Sequence, residues 1–127
     1  MRKLLLILAL AAAPAAAQTE WSRAEPVTVA LTNFDFTPST IRLRAGVPVR
    51  LRLENRSGGG HNFVARQFFA AARVAPASAA HVRRGAVEVR RRSAVEVTLV
   101  PAAGRYRLRC THTLHSTFGM TGEIVVE

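Results

Sequence analysis

The sequence is poor in several residue types, and each shortage narrows what the chain can be. It has one cysteine, Cys110, so it cannot close an internal disulfide. Aromatic residues make up only 6% of the chain. They are not interleaved with the arginines as a stacking platform for nucleic acid requires, so we expect no nucleic-acid partner. A length of 127 residues is enough for one domain.

No apolar run in the sequence is long enough to span a bilayer. The longest follows Arg2 and Lys3 and covers residues 4–13, and the small residues 15–17 offer a cleavage site before Gln18. This pattern predicts a signal peptide over residues 1–17 and a mature domain over residues 18–127, with an N-terminal membrane anchor as the alternative. We therefore expect a periplasmic protein, exported by a cleaved signal peptide and without stable membrane insertion.

Acidic residues are scarce relative to basic ones. Residues 18–127 contain 16 arginines, no lysine and 8 acidic residues, a net charge of about +8. A charge of this sign favours association with an acidic partner or an anionic surface. A genome-wide preference for arginine and alanine codons is the alternative interpretation.

From residue 27 onward, apolar residues recur at every second position. Alternation of this kind predicts short strands with one buried face, and turn residues such as Ser57–Gly60 separate them. The alternating segments are 27–32, 41–44, 47–54, 87–89, 95–99, 105–109 and 124–126. We predict an all-β sandwich of seven to eight strands. The alternation stops at Arg66–Arg73, which predicts a short helix or irregular crossover, and residues 74–84 are predicted to form a loop.

The same alternation decides where the lone cysteine points. Tyr106, Leu108 and Cys110 share one face of their strand, and the arginines between them share the other. Cys110 is therefore predicted to lie inside the sandwich, at the end of a strand. A buried thiol there is either an ordinary core residue or a functional one.

Further side chains that suit a soft metal ion follow Cys110. His115 is five residues later, and Met120 five residues beyond that. A strand end, a loop and the start of the last strand can return these three side chains to one point. His61 follows three glycines, which permit close backbone approach, and is the candidate for a fourth ligand. His112 is the alternative to His115, and His81 is expected to be a surface residue.

Two imidazoles, one thiolate and one thioether form the donor set that copper uses for electron transfer. Cysteine and histidine also suit zinc, but a thioether ligand argues against zinc as the native metal.

These motifs resemble the cupredoxins, the small blue-copper proteins of the plastocyanin, azurin and pseudoazurin group. "FDFTPSTIRLRAGVPVRLRLEN" resembles their early strands, "GGGHNFV" the segment with the first histidine ligand, and "GRYRLRCTHTLHSTFGMTGEIVV" the ligand loop and final strand. The resemblance covers about residues 27–64 and 94–127. It implies a cupredoxin-like Greek-key sandwich with one copper ion per chain.

The resemblance also implies a role for each site residue. It makes His61, Cys110 and His115 the equatorial ligands and Met120 the axial ligand of a type 1 site. Asn62 is expected to tie the His61 segment to the backbone or hydroxyl of Thr111. The chain departs from the family where members often have proline or glycine, between Cys110 and His115.

The expected function is that of a periplasmic one-electron carrier, a monomer that serves an acidic redox partner protein. Leu114 and Phe118 flank His115 and are expected either to form an apolar docking patch or simply to pack the loop. A copper chaperone or scavenger that delivers copper to another protein is the alternative. We do not expect an enzyme, because four protein ligands leave no coordination position for a substrate.

Overall fold

A computed structural model describes residue 9, residues 20–112 and residues 119–127 of the chain. Within these residues, ten strands form two five-stranded sheets. The strands are β1 (Glu25–Thr32), β2 (Asp35–Thr37), β3 (Thr40–Leu43), β4 (Val49–Asn55), β5 (His61–Val64), β6 (Arg73–Val74), β7 (Ala86–Val89), β8 (Ser93–Val100), β9 (Gly104–Arg109) and β10 (Thr121–Val126). One α-helix, α1 (Arg66–Ala71), and a 3₁₀ helix (Pro76–His81) lie between β5 and β7 in this part of the chain.

Both sheets contain parallel and antiparallel pairs, and the chain passes back and forth between them. The first has the strand order β2-β1-β4-β8-β6 and the second the order β3-β10-β9-β5-β7. β1 is parallel to β4 and β3 is parallel to β10, and the other pairs are antiparallel. β4 and β5 follow each other in sequence but lie in different sheets, so the chain crosses the sandwich between them. The predicted fold class, an all-β sandwich with a short helix, is confirmed.

The strand count is ten rather than the seven or eight predicted. Three of the ten lie outside the alternating segments: β5, which is buried at all four positions, and β2 and β6, which have three and two residues. Segments of that length are too short to show an alternating pattern. Residues 74–84 are not all loop either. The 3₁₀ helix begins at Pro76, a residue whose fixed φ suits a first helical turn, and Ser78 within it accepts a hydrogen bond from the Thr98 N–H at 3.0 Å.

The core lies between the sheets and consists of the inward-facing residues of each strand. Leu53 and Val97, for example, have no exposed surface, whereas Arg52 and Glu96 of the same strands are exposed. Helix α1 adds Phe68 and Phe69, both buried. Phe69 packs edge-on against Phe63 with ring centroids 6.0 Å apart. Burial of each side chain of this size stabilises the fold by about 1.5–3 kcal/mol. Close packing of such side chains makes the sandwich a rigid support.

The start of β5, the β7–β8 turn and the residue after β9 lie at one end of this sandwich. His61 at the start of β5 pairs with Val89 at the end of β7, which brings the residues before His61 beside the β7–β8 turn. At the end of β9, the Cys110 N–H donates to the carbonyl of Met120 at 3.0 Å. The end at which His61, Cys110 and Met120 lie is here called the site end. In the described part of the chain, no helix has both the length and the apolar composition that spanning a bilayer requires.

Candidate metal centre

The thiol of Cys110 and the imidazole of His61 face each other inside the site end. Both residues have no exposed surface, and Cys110 Sγ lies 3.8 Å from His61 Nδ1. The alternation of β9 explains the position of the thiol, because Leu108 is buried on the same face and Arg107 and Arg109 are exposed on the other. The prediction that Cys110 points into the sandwich is confirmed.

The separation of these two atoms suits a shared metal ion. Thiolate and imidazole bind zinc at about 2.3 Å and about 2.0–2.1 Å. Bonds of similar length to copper, at the angle of about 120° of a trigonal His₂Cys site, would place sulphur and nitrogen about 3.8 Å apart. This value matches the observed distance between Sγ and Nδ1. The backbone N–H of Asn62 also points at the sulphur, 3.5 Å from it, and is placed to stabilise a thiolate.

Met120 lies beside Cys110, immediately before β10. It has no exposed surface, and its carbonyl accepts the hydrogen bond from the Cys110 N–H. The residues from 113 to 118, which include the predicted ligand His115 and its neighbours Leu114 and Phe118, lie outside the described residues. Across the described ranges, no three His, Cys, Asp or Glu side chains form a metal-binding group. Three of the four predicted ligands, His61, Cys110 and Met120, lie together at the site end.

Asn62 connects the strand that carries His61 to the residue after Cys110. Its Nδ2 donates to Thr111 Oγ1 at 2.8 Å, and its Oδ1 accepts from the Thr111 N–H at 2.8 Å. The expected contact with the backbone or hydroxyl of Thr111 is present in both forms. This pair of bonds holds β5 against the end of β9 and so fixes the spacing between the imidazole and the thiol.

The second nitrogen of His61 contacts the Ser57 hydroxyl, which the sequence did not indicate as part of the site. Nε2 lies 2.8 Å from the hydroxyl of Ser57, and that hydroxyl lies 2.8 Å from Asn55 Oδ1. Asn55 is 2% exposed and ends β4. The available sequence signal was a serine four residues before a histidine in a glycine-rich turn, which is too common to indicate a contact.

His112 lies beside the site, on the outer side of the second sheet. It is half-buried, its Nε2 pairs with the carboxylate of Glu88, and its ring centroid is 6.5 Å from that of His61. Gly60 permits this packing, because a Cβ built there would lie 3.2 Å from His112 Cε1. Of the three glycines before His61, Gly60 is the one at which the structure shows a close approach. His81 is exposed, as expected.

Comparison with known proteins identifies the family. The model of the cupredoxin-like domain matches residues 3–126, so the chain belongs to the cupredoxin-like family, as the sequence motifs predicted. A comparison with curated protein sequences finds no match.

Solved structures of auracyanins share the fold. Auracyanin B has a TM-score of 0.61 and 24% identity, over 83% of this chain and 90% of its own. A dithionite-reduced auracyanin from the photosynthetic bacterium Roseiflexus castenholzii has a TM-score of 0.61 and 20% identity, over 82% of this chain and 98% of its own. Auracyanin A, described as a "blue" copper protein from the green thermophilic photosynthetic bacterium Chloroflexus aurantiacus, has a TM-score of 0.55 and 24% identity, over 80% of this chain and 99% of its own. Identities this low establish the likeness of fold.

Proposed function

We propose that the chain is a periplasmic one-electron carrier that holds one copper ion through His61, Cys110, His115 and Met120. The observation that supports this most is the buried pair of Cys110 Sγ and His61 Nδ1, 3.8 Å apart, beside Met120 in a cupredoxin-like domain. Copper, when bound, would supply the one-electron couple. No substrate is transformed, since four protein ligands leave no position for one.

The chain's own contribution is a dry and rigid donor set. His61 and Cys110 lie at the ends of paired strands, have no exposed surface and are tied together by the Asn62–Thr111 bonds. Side chains held in this way need not move when the charge of the site changes. The Asn62 N–H directed at the sulphur is a further group that sets the reduction potential.

Export remains part of this proposal. Residues 1–17 are a signal peptide and residues 18–127 are the exported domain, because the basic lead, the apolar run and the small residues before Gln18 form the pattern of a cleavage site. N-terminal sequencing of the protein from the periplasmic fraction is expected to begin at Gln18. Recovery of the intact N-terminus in the membrane fraction would instead indicate the membrane anchor.

The partner we propose is an acidic redox protein that docks on the site end of a monomer. The β7–β8 turn there presents three consecutive exposed arginines, Arg90, Arg91 and Arg92. Phe34, in the β1–β2 turn at the same end, is 42% exposed. Positive charge around an apolar contact favours a small, transient encounter with an acidic surface that weakens as salt is added.

Small redox reagents can test this charge distribution. The reduced copper protein should be oxidised faster by an anionic complex than by a cationic complex of similar driving force, and salt should reduce the difference. Replacing Arg91 by Glu should reduce the preference. Arg44→Glu, at the opposite end of the sandwich beyond β3, is the control and should leave it nearly unchanged. Equal effects of the two changes would refute docking at the site end.

Electron transfer and copper delivery differ in two rates. A carrier exchanges electrons rapidly between its oxidised and reduced forms and loses copper slowly to a chelator. A chaperone or scavenger shows the reverse. Measuring self-exchange by NMR line broadening and copper loss by absorbance on the same preparation decides between them, and fast loss with slow exchange would overturn the carrier function.

A further inference from the structure

The imidazole of His61 is held on the side opposite the thiol by a buried hydrogen-bonded chain. Its Nε2 lies 2.8 Å from Ser57 Oγ, and Ser57 Oγ lies 2.8 Å from Asn55 Oδ1. All three residues are buried: Ser57 is 9% exposed, Asn55 is 2% and His61 has no exposed surface. Because these three side chains are sheltered from water, the direction of each hydrogen bond between them can be deduced from its partners.

The orientation of the Asn55 amide is fixed first. Its Nδ2 donates to two backbone carbonyls, Gly59 at 2.8 Å and Val89 at 3.0 Å. Its Oδ1 accepts from the Ser57 N–H at 3.0 Å. The flipped amide would place its oxygen against both carbonyls and its NH₂ group against an N–H. Asn55 Oδ1 is therefore an acceptor in its contact with the Ser57 hydroxyl.

The Ser57 hydroxyl has one proton to donate. It contacts two oxygens that can only accept, Asn55 Oδ1 and the Gly59 carbonyl at 2.9 Å. If the proton pointed to His61 instead, both short oxygen–oxygen contacts would lack a proton. The proton is therefore on the Asn55–Gly59 side, and Ser57 Oγ accepts a hydrogen bond from His61 Nε2–H.

We propose that Asn55 and Ser57 are positioning residues that fix His61 as its Nε2–H tautomer, with the Nδ1 lone pair presented toward Cys110 Sγ. These hydrogen bonds then set the orientation of the His61 ring and determine which of its nitrogens can bind a metal, before any metal is bound. The tautomer stands on the hydrogen bonds alone, whereas its consequence for metal binding rests on the proposed function.

The tautomer is measurable without metal. In ¹⁵N-histidine-labelled apo-protein under reducing conditions, at a pH where the ring is neutral, long-range ¹H–¹⁵N correlations identify which nitrogen of His61 carries the proton. The expected pattern has the proton on Nε2. A proton on Nδ1 in the unaltered protein would overturn the proposal, and this result needs no variant that could fail to fold.

Three variants then separate positioning from general support. Ser57→Ala removes the acceptor of Nε2–H and should give a mixture of tautomers. It should also lower the affinity for Co²⁺, used as a spectroscopic probe, by about 10–100-fold. Ser57→Thr keeps a hydroxyl and should restore both properties. Ser78→Ala is the matched control, because it removes a buried serine hydroxyl that bonds the Thr98 N–H at 3.0 Å, away from His61. It should change neither.

The outcomes distinguish this proposal from the proposed function. If Ser57→Ala retains a single Nε2–H tautomer and normal Co²⁺ affinity, the positioning role is wrong. If the tautomers behave as expected but no variant binds Co²⁺, the positioning role stands and the metal centre fails.

Discussion

Replacing Asn62 by alanine tests the connection between the two halves of the site. The change removes the bonds from Asn62 Nδ2 to Thr111 Oγ1 and from the Thr111 N–H to Asn62 Oδ1, both 2.8 Å long. Asn62 is 8% exposed but Thr111 is exposed, so water can bond the Thr111 groups and the cost of each lost bond is the ordinary net value. At about 1 kcal/mol for each hydrogen bond, the free energy of unfolding of the apo-protein should fall by about 2 kcal/mol. For a domain of about 110 residues, the melting temperature should fall by about 6–12 °C.

Urea unfolding of the apo-protein measures this loss directly, and an unchanged m-value shows that the fold is the same. Thr111→Ser keeps both partners of Asn62 and is the control, with an expected change of less than about 0.5 kcal/mol. In the metal-loaded protein, Asn62→Ala should weaken binding by about 10–100-fold, because β5 and β9 are no longer held in register at the site. If Asn62→Ala is as stable as Thr111→Ser, the two bonds do not contribute as described.

Three further changes probe the neighbourhood. Gly60→Ala places a methyl group 3.2 Å from His112 Cε1 and should displace that ring, seen as shifted His112 and Glu88 signals in NMR spectra, with signals of the opposite end unmoved. Hydrogen bonds from Arg56 and Arg52 lower the pKa of Glu54 below its ordinary value of 4.5, so their stabilising effect is present above pH 4.5 and is lost as the pH falls through the lower folded value. Glu54→Gln should therefore lose less stability than the unaltered protein between pH 7 and pH 3 in urea unfolding. Finally, His115→Ala should abolish the blue colour of the copper-loaded protein and His112→Ala should retain it, and the opposite result would exchange their roles.

The alternation of apolar residues was sufficient to predict the sandwich and the direction of Cys110. Side chains of a strand point to opposite faces in turn, so the burial of Leu108 carries over to Cys110 two residues later. The same rule could not find β2 and β6, because strands of three and two residues contain too little pattern. Those strands form where longer neighbours, β1 and β8, offer an edge to pair with.

Motifs that resemble a known family were sufficient to predict His61, Cys110, Met120 and the Asn62–Thr111 contact. The contacts of Asn55 and Ser57 in the turn before His61 were not predicted. The segment around Cys110 and Met120 is continuous in sequence, and its motif resembles that of a known family. Ser57 and Asn55, in contrast, reach His61 through a turn whose shape is set by hydrogen bonds to backbone groups such as the Val89 carbonyl on another strand. Nothing local in the sequence specifies such contacts.

The most direct test of the central claim is the optical and electron spin resonance spectrum of the copper-loaded protein, compared with that of Cys110→Ser. The account predicts an intense visible band from thiolate-to-copper charge transfer in the unaltered protein. It also predicts loss of that band in Cys110→Ser with an unchanged far-ultraviolet circular dichroism spectrum, since the two sheets do not depend on one thiol. A blue Cys110→Ser variant, or a folded unaltered protein that binds copper without the band, would contradict the claim that this thiolate binds the metal.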